Sequence, residues 1–209
     1  MNKTKQKIIH ASIKLYNEYG FSNVLNQEVA KASDISLSNF NYHFPTKKDL
    51  ILSVCAHLND ELEKRISRDK LFSGNFIGLE ITKIFLEFEK DFKFFYLDTY
   101  NILRQYPVIK QEMVRHVINA VEMIKNLNFM SIGKGYLKPE PVDKPGLYDH
   151  VAHQLWMHSH FWFAQADMRN LDNKTIIMQG LESSFAISYP YLTELGIEEY
   201  REYLNNINF

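Results

Sequence analysis

The chain has 209 residues, 45% of them hydrophobic, and a formal net charge of −1 at pH 7. That is one large domain or two small ones with ample material for a core, and a charge that argues neither for nor against a nucleic-acid partner. The single cysteine, Cys55, excludes an intramolecular disulfide and fits a reducing cytoplasm.

Charge is unevenly spread. Residues 1–50 hold seven lysines and four acids, whereas residues 51–209 hold 17 basic and 21 acidic side chains. A modestly basic N-terminal segment thus precedes a mildly acidic remainder. The N-terminal apolar residues are interrupted by Lys, His, Ser and Asn, unlike those of a signal peptide. No run approaches the roughly 18 apolar residues of a membrane span. The expectation is a soluble, cytoplasmic protein with no membrane partner.

Helical periodicity runs nearly throughout. Ile8, Ala11, Leu15 and Tyr19 share a stripe over residues 4–19, and Gly20 stands where a C-cap glycine belongs. A second helix fits residues 26–33, with Asn26 as N-cap. Asp34 tolerates left-handed geometry. Ser36 caps a short third helix that ends near Phe44, ahead of Pro45. Thr46 and Asp49 resemble a capping box opening a fourth helix, expected to reach about residue 70. Residues 75–106 are densely aromatic and read as two helices breaking near 90–93. Pro107 suits the first turn of a long helix to about 132. Residues 133–146, GKGYLKPEPVDKPG, are the clearest loop. Helices over 147–169 and 173–194 follow, with Gly196 ending the second, and a short helix closes the chain.

A short polar helix after a tight turn is the helix-turn-helix arrangement. Val29, Ala30, Ser33, Ile35, Phe40 and Phe44 are spaced to face inward. Leu37, Ser38, Asn39, Asn41 and Tyr42 then face outward, where they can reach base edges or phosphates in a major groove. Lys47 and Lys48 open the next helix, where positive charge opposes the macrodipole. A phosphate bound between those lysines and the free N–H groups reverses that sign. His43 packs near the turn and completes the DNA-binding set. The fold class expected is all-α: an N-terminal three-helix DNA-binding domain over residues 1–50, then a larger helical effector-binding and dimerisation domain over 51–209.

Residues 7–52, KIIHASIKLYNEYGFSNVLNQEVAKASDISLSNFNYHFPTKKDLIL, resemble the TetR/AcrR family of bacterial transcription regulators. The likeness lies in the apolar pattern, the Gly-Phe, Val-Ala and Ile-Ser pairs, and the Tyr-x-Phe-Pro-x-Lys-x-x-Leu spacing. It implies double-stranded DNA as a partner, a homodimer, and regulation rather than catalysis. It also places Asn26 and Gln27, at the start of the second helix, on a phosphate or base. Two positions depart from the family pattern. Asp34 stands where a turn glycine is usual, and Asn41 precedes Tyr42 where the family has tyrosine at position 41. Either Tyr42 takes the phosphate-binding role by a small rotation, or Asn41 reads a base. The C-terminal remainder carries no matching motif.

One such module covers only a few base pairs, so selective binding requires a dyad-related pair reading a palindrome. Gly180, Ser184 and Ser188 form a small-residue stripe that allows close approach of a partner helix, and they are the expected dimer interface. Phe88, Phe92, Phe95, Tyr100, Met113, His116, Met123, Trp156 and His160 are the expected lining of a pocket for an unknown small-molecule effector. A ligand preferring one domain arrangement shifts DNA affinity. In YDHVAHQLWMHSHFWF, Asp149 and His153 are four apart and His150 and His153 three apart, spacings that can hold a metal. No Cys is near and no His-Glu-x-x-His occurs, so neither a metal nor a cofactor is assigned. Two rivals remain. A metal-dependent helical-bundle enzyme calls for Glu-x-x-His on facing helices, and the chain lacks that, a P-loop, a dinucleotide glycine pattern and a nucleophile elbow. The other is a protein-interaction module that has lost DNA binding. The reading adopted is a ligand-responsive regulator acting as a repressor.

Overall fold

The computed structural model describes residues 2–66 and 77–207. Its first helices are α1 (Lys3–Tyr19), α2 (Asn26–Ala32), α3 (Leu37–His43) and α4 (Lys47–Arg65). There follow α5 (Ile77–Asp91), α6 (Lys93–Leu97), α7 (Thr99–Gln105) and α8 (Pro107–Gly133). The chain closes with α9 (Leu147–Met168), α10 (Asn173–Ser188) and α11 (Glu194–Asn206). Short 3₁₀ turns stand at Phe21–Asn23 and Tyr189–Tyr191, and one isolated antiparallel bridge pairs Leu137 with Leu192. The fold is all-α, with no strand among the described residues. The expected reach of the fourth helix to about residue 70 lies outside them.

Helix boundaries follow from local chemistry. The Asn2 side chain accepts from Thr4 N–H, the Ser36 hydroxyl from Asn39 N–H and the Asp172 carboxylate from Thr175 N–H, each satisfying a donor in a first turn. Thr46 and Asp49 cap each other: Asp49 N–H donates to Thr46 Oγ1 at 3.1 Å, and Thr46 N–H to Asp49 Oδ2 at 3.0 Å. Four exits pass through a residue with positive φ: Gly20 (81°), Asp34 (52°), Gly135 (77°) and Asn170 (54°). Around Asp34, Ile35 N–H reaches Ala30 O at 3.1 Å and Asp34 N–H reaches Lys31 O at 3.0 Å. That is the Schellman pattern, with aspartate in place of glycine.

Four details correct the sequence reading. Asn26 is the first residue of α2, not its cap; Leu25 holds the cap position, and its N–H is accepted by the Glu28 carboxylate at 2.7 Å. The aromatic stretch forms three helices rather than two, because the chain breaks again at Asp98, whose carboxylate accepts Phe21 N–H at 2.9 Å. The helix from Asn173 stops at Ser188, since Pro190 has no N–H to continue it. Gly196 ends no helix. It lies in the first turn of α11, donates to Thr193 Oγ1 at 3.0 Å, and sits so near the Tyr136 carbonyl that a Cβ would stand 2.2 Å from that oxygen.

The chain packs as two units: residues 1–65 with 91–112, and residues 66–90 with 113–209. In the first, Ile8, Ile9, Tyr16, Phe21, Phe40, Phe44, Leu50, Ile51 and Phe94 are buried almost completely. The Tyr16 ring meets Phe21 edge-on at 5.2 Å and tilts against Phe94 at 5.3 Å. Asn17 stitches α1 to the start of α6: its amide donates to Asp91 O at 2.8 Å and its carbonyl accepts Phe94 N–H at 3.0 Å. In the second unit, Leu86, Ile177 and Leu181 form one cluster against Trp162, and Phe163, Ala166 and Ile176 form another. Among the described residues no helix is long and apolar enough to cross a membrane.

Candidate nucleic-acid interface

The turn between α2 and α3 determines what α3 shows. Val29, Ala30, Ser33, Phe40 and Phe44 are buried and Ile35 is half-buried, so the expected inward set does anchor the pair. With Phe40 fully enclosed, the remaining faces of this two-turn helix point outward. Leu37, Ser38, Asn39, Asn41 and Tyr42 are all exposed, Tyr42 at 81%. Gln27 is exposed at the start of α2, and Asn26 is half-buried beside it. The arrangement presents an apolar contact, a hydroxyl, two amides and a phenol from one short helix. These groups can bond base edges or phosphates. His43 is half-buried and meets the Tyr42 ring edge-on at 5.2 Å. Sequence reasoning missed Asn2 and Lys5, which line an open groove of about 500 Å³ with Tyr42 and His43. The lysines near the N-terminus were the available signal, but nothing in their spacing placed them beside α3.

Lys47 and Lys48 differ sharply. Lys48 is exposed. Lys47 is half-buried, and its ammonium donates to Phe21 O at 2.8 Å and Val24 O at 2.9 Å while lying 4.5 Å from the Phe21 ring centroid. Burial lowers its pKa and the Glu28 carboxylate opposes that shift. Two of its three donors therefore close the 3₁₀ turn between α1 and α2, leaving one for an outside acceptor.

The nine residues expected to line an effector pocket fall in both units. Phe92, Phe95 and Tyr100 belong to the first unit and the other six to the second. Tyr100, at 71%, and His116 are exposed. Phe92 is edge-on to His57 at 6.4 Å, in an open cleft of about 290 Å³ with His10, Ile13, Glu61 and Asp91. In the second unit, Phe88 is buried, and Met113, Met123, Trp156 and His160 are half-buried. Trp156 and His160 stack with centroids 5.1 Å apart, and burial holds the His160 imidazole down to about 4.

Gly180 of the small-residue stripe packs within the protomer. Gly180 and Ser184 are buried, and a Cβ on Gly180 would stand 2.7 Å from Leu86 Cδ1 and 2.8 Å from Trp162 Nε1. Close approach is what the glycine provides, but to the chain's own α5 and α9; Ser188 is half-buried. In the histidine-rich helix, Asp149 pairs with Lys125 at 3.1 Å, and His150 and His153 are exposed. His158 Nε2 donates to Gly180 O at 3.0 Å, which fixes its tautomer, and burial lowers its pKa. Among the described residues no three His, Cys, Asp or Glu side chains gather to hold a metal.

A helix-turn-helix with an outward-facing second helix, followed by a larger helical unit, defines the class. Residues 8–54 match the model described as bacterial regulatory proteins of the tetR family, and residues 79–200 match the model described as bacterial transcriptional repressor. The chain belongs to the TetR family of bacterial transcription regulators, which are not enzymes. It is 30% identical over 142 residues to the HTH-type transcriptional regulator YerO of Bacillus subtilis (strain 168), covering 65% of this chain. The chain spans about half (49%) of that relative's length. A TetR-family regulator from Marinobacter aquaeolei VT8 superposes with a TM-score of 0.84 at 20% identity, over 98% of both chains. A transcriptional regulator from Saccharomonospora viridis in complex with choline does so at 0.75 and 15% identity, over 93% of this chain and all of its own.

Proposed function

We propose that this protein is a cytoplasmic, small-molecule-responsive repressor that binds a palindromic duplex site as a homodimer. Residues 1–50 read DNA, and residues 51–209 carry effector binding and dimerisation. One observation carries the reading: α3 buries Phe40 completely and exposes Leu37, Ser38, Asn39, Asn41 and Tyr42. Exposed Met157 and Phe161, one turn apart on α9, offer a second copy an apolar face that Gly180 and Ser184 do not. The choline complex of the Saccharomonospora regulator supports a small molecule as effector.

Selection of bound duplexes from a random library with the full chain tests this. Enrichment of an inverted repeat is expected, with affinity falling about 10³–10⁵-fold between 50 and 200 mM salt for roughly 6–10 phosphate contacts. A protein that enriches no sequence at low ionic strength refutes the reading and favours a helix-turn-helix turned to protein contacts.

A further inference from the structure

Two histidines face each other in the first unit, away from the groove beside α3. His10 on α1 and His57 on α4 meet edge-on, with ring centroids 5.2 Å apart and planes at 68°. Together with Ile13, Glu61, Asp91 and Phe92 they line the open cleft of about 290 Å³. His10 is exposed and His57 half-buried, so water and its protons reach the pair. The charges around it are largely committed. Glu61 pairs with Lys64 at 2.7 Å and Asp91 with Arg65 at 2.9 Å. On α1, Lys7 and Lys14 stand one turn to either side of His10, and Lys7 reaches Asp34 at 3.6 Å. Burial holds the His57 imidazole below its ordinary value; Glu61 opposes this, His10 and Lys64 reinforce it, and Asp60 opposes it. The two helices joined here also carry groups that can meet a duplex. Asn2 and Lys5 of α1 border the groove with Tyr42 and His43, and Lys48 is exposed in the first turn of α4.

We propose that the contact between His10 and His57 is a proton-operated latch: neutral rings hold α1 against α4 in the arrangement that binds duplex, and two imidazolium rings push the helices apart, so that acid releases the DNA. Edge-on contact between neutral rings is attractive, because the positive edge of one meets the negative face of the other. Protonation of both rings replaces that attraction with repulsion between like charges. With Glu61 and Asp91 already facing cations, little negative charge is left to offset the second proton. The two rings therefore titrate as one coupled pair, in two separated steps. The sign follows from linkage. The latched form refuses protons that separated rings accept, so the latch is complete above the ordinary imidazole value of roughly 6.5 and is lost as pH falls below it. The proposal adds a pH input to the duplex binding proposed above, and coupling between the rings is measured without DNA.

The test uses the full chain, with a chelator present to keep metal ions off the rings. Imidazole proton resonances are followed from pH 8 to 5 in the wild type, His10→Gln and His57→Gln. Removal of either ring should raise the midpoint of the other by about half a pH unit or more, a shift that a merely structural role would not produce. Fluorescence anisotropy on a duplex selected at pH 7.5 then reports affinity at pH 7.5 and 5.5. The wild type should lose roughly tenfold more affinity over that interval than His57→Gln does. Both proteins keep His43, so its own titration cancels in the comparison. Midpoints that stay put when the partner ring is removed, or equal pH dependence of duplex binding in wild type and variant, overturn the proposal. If neither variant folds, hydrogen exchange of the wild type decides. Corrected for intrinsic rates, the amides of α1 and α4 must open more at pH 5.5 than at 7.5 relative to those of α9 and α10, and uniform behaviour refutes the latch. Coupled rings in a protein that retains no duplex at any pH refute the regulator reading and leave the proton coupling of α1 to α4 standing.

Discussion

The two units differ in how many buried side-chain polar atoms go without a partner. In the first, interruptions of the helical backbone are tied by side chains: Asn17 through both ends of its amide, Asp98 to Phe21 N–H, Lys47 to Phe21 O and Val24 O, and Thr46 with Asp49. Of its buried side-chain polar atoms among the described residues, Ser33 Oγ alone lacks a partner. In the second, Glu89 Oε2, Asn128 Nδ2, Gln165 Nε2 and Ser184 Oγ all lack one among the described residues. A satisfied network fixes one arrangement, whereas a partly satisfied one holds polar atoms ready for something else.

The strongest way to break this contrast is to remove the anchor of the reading helix. Phe40 is fully enclosed, so Phe40→Ala should cost about 3–5 kcal/mol in urea denaturation and abolish duplex retention. Leu37→Ala, on the exposed side of the same helix, should change stability by less than about 0.5 kcal/mol while altering the preferred sequence. Loss of stability in both variants would show that α3 has no free face. In the second unit, Gly196→Ala places a methyl against the Tyr136 carbonyl and should cost about 1–3 kcal/mol. Both tryptophans, Trp156 and Trp162, lie in that unit, so fluorescence-detected melting should register the loss. An unchanged midpoint sinks the packing argument.

The same contrast explains what could be read from sequence. The first unit was legible because its devices are local: Ser36 caps three residues on, Thr46 and Asp49 face each other across one turn, and Asp34 needs only its own φ. Its long-range ties were not. Nothing near Lys47 in sequence shows that its ammonium reaches Phe21 and Val24, or near Asn17 that it reaches Asp91. In the second unit the apolar stripes marked helices without saying which faces meet. Gly180 approaches Leu86 and Trp162 of its own chain, and small-residue spacing is the same for an internal and an external partner. Glu89 escaped notice altogether. An acid on an apolar stripe was its signal, visible at Ile81, Phe85 and Glu89.

Titration gives a finer comparison inside the second unit. Burial holds His160 down to about 4, against roughly 6.5 for a free imidazole. Between those values the unfolded chain binds a proton that the folded chain refuses. Stability therefore rises with pH through that window, is complete above about 6.5 and is lost as pH falls toward 4. Glu89 acts with the opposite sign. Its raised pKa means that the folded chain keeps a proton the unfolded chain has shed, so stability falls as pH climbs above roughly 4.3. His160→Phe should flatten the acid-side loss by about 1–2 kcal/mol at pH 5, and Glu89→Gln should flatten the decline at higher pH. Circular-dichroism melts at pH 5, 7 and 8 separate the two, and identical pH profiles for wild type and variants would remove both assignments.

The smallest effects distinguish two adjacent lysines. Lys47 spends two donors on carbonyls within its own unit, but it is partly exposed, so Lys47→Ala should cost about 1 kcal/mol. Any fall in DNA affinity in that variant mixes damage to the 3₁₀ turn with loss of a phosphate contact. Lys48 is exposed, so Lys48→Ala should leave stability within about 0.5 kcal/mol. If Lys48 meets a phosphate, the substitution weakens binding to all duplexes alike and reduces the salt slope by about 1. Affinity measured at three salt concentrations for both variants resolves the pair. An unaltered slope in Lys48→Ala assigns the backbone contact to Lys47's third donor or to the groove beside Lys5, and Lys5→Ala then becomes the variant in which the slope must fall.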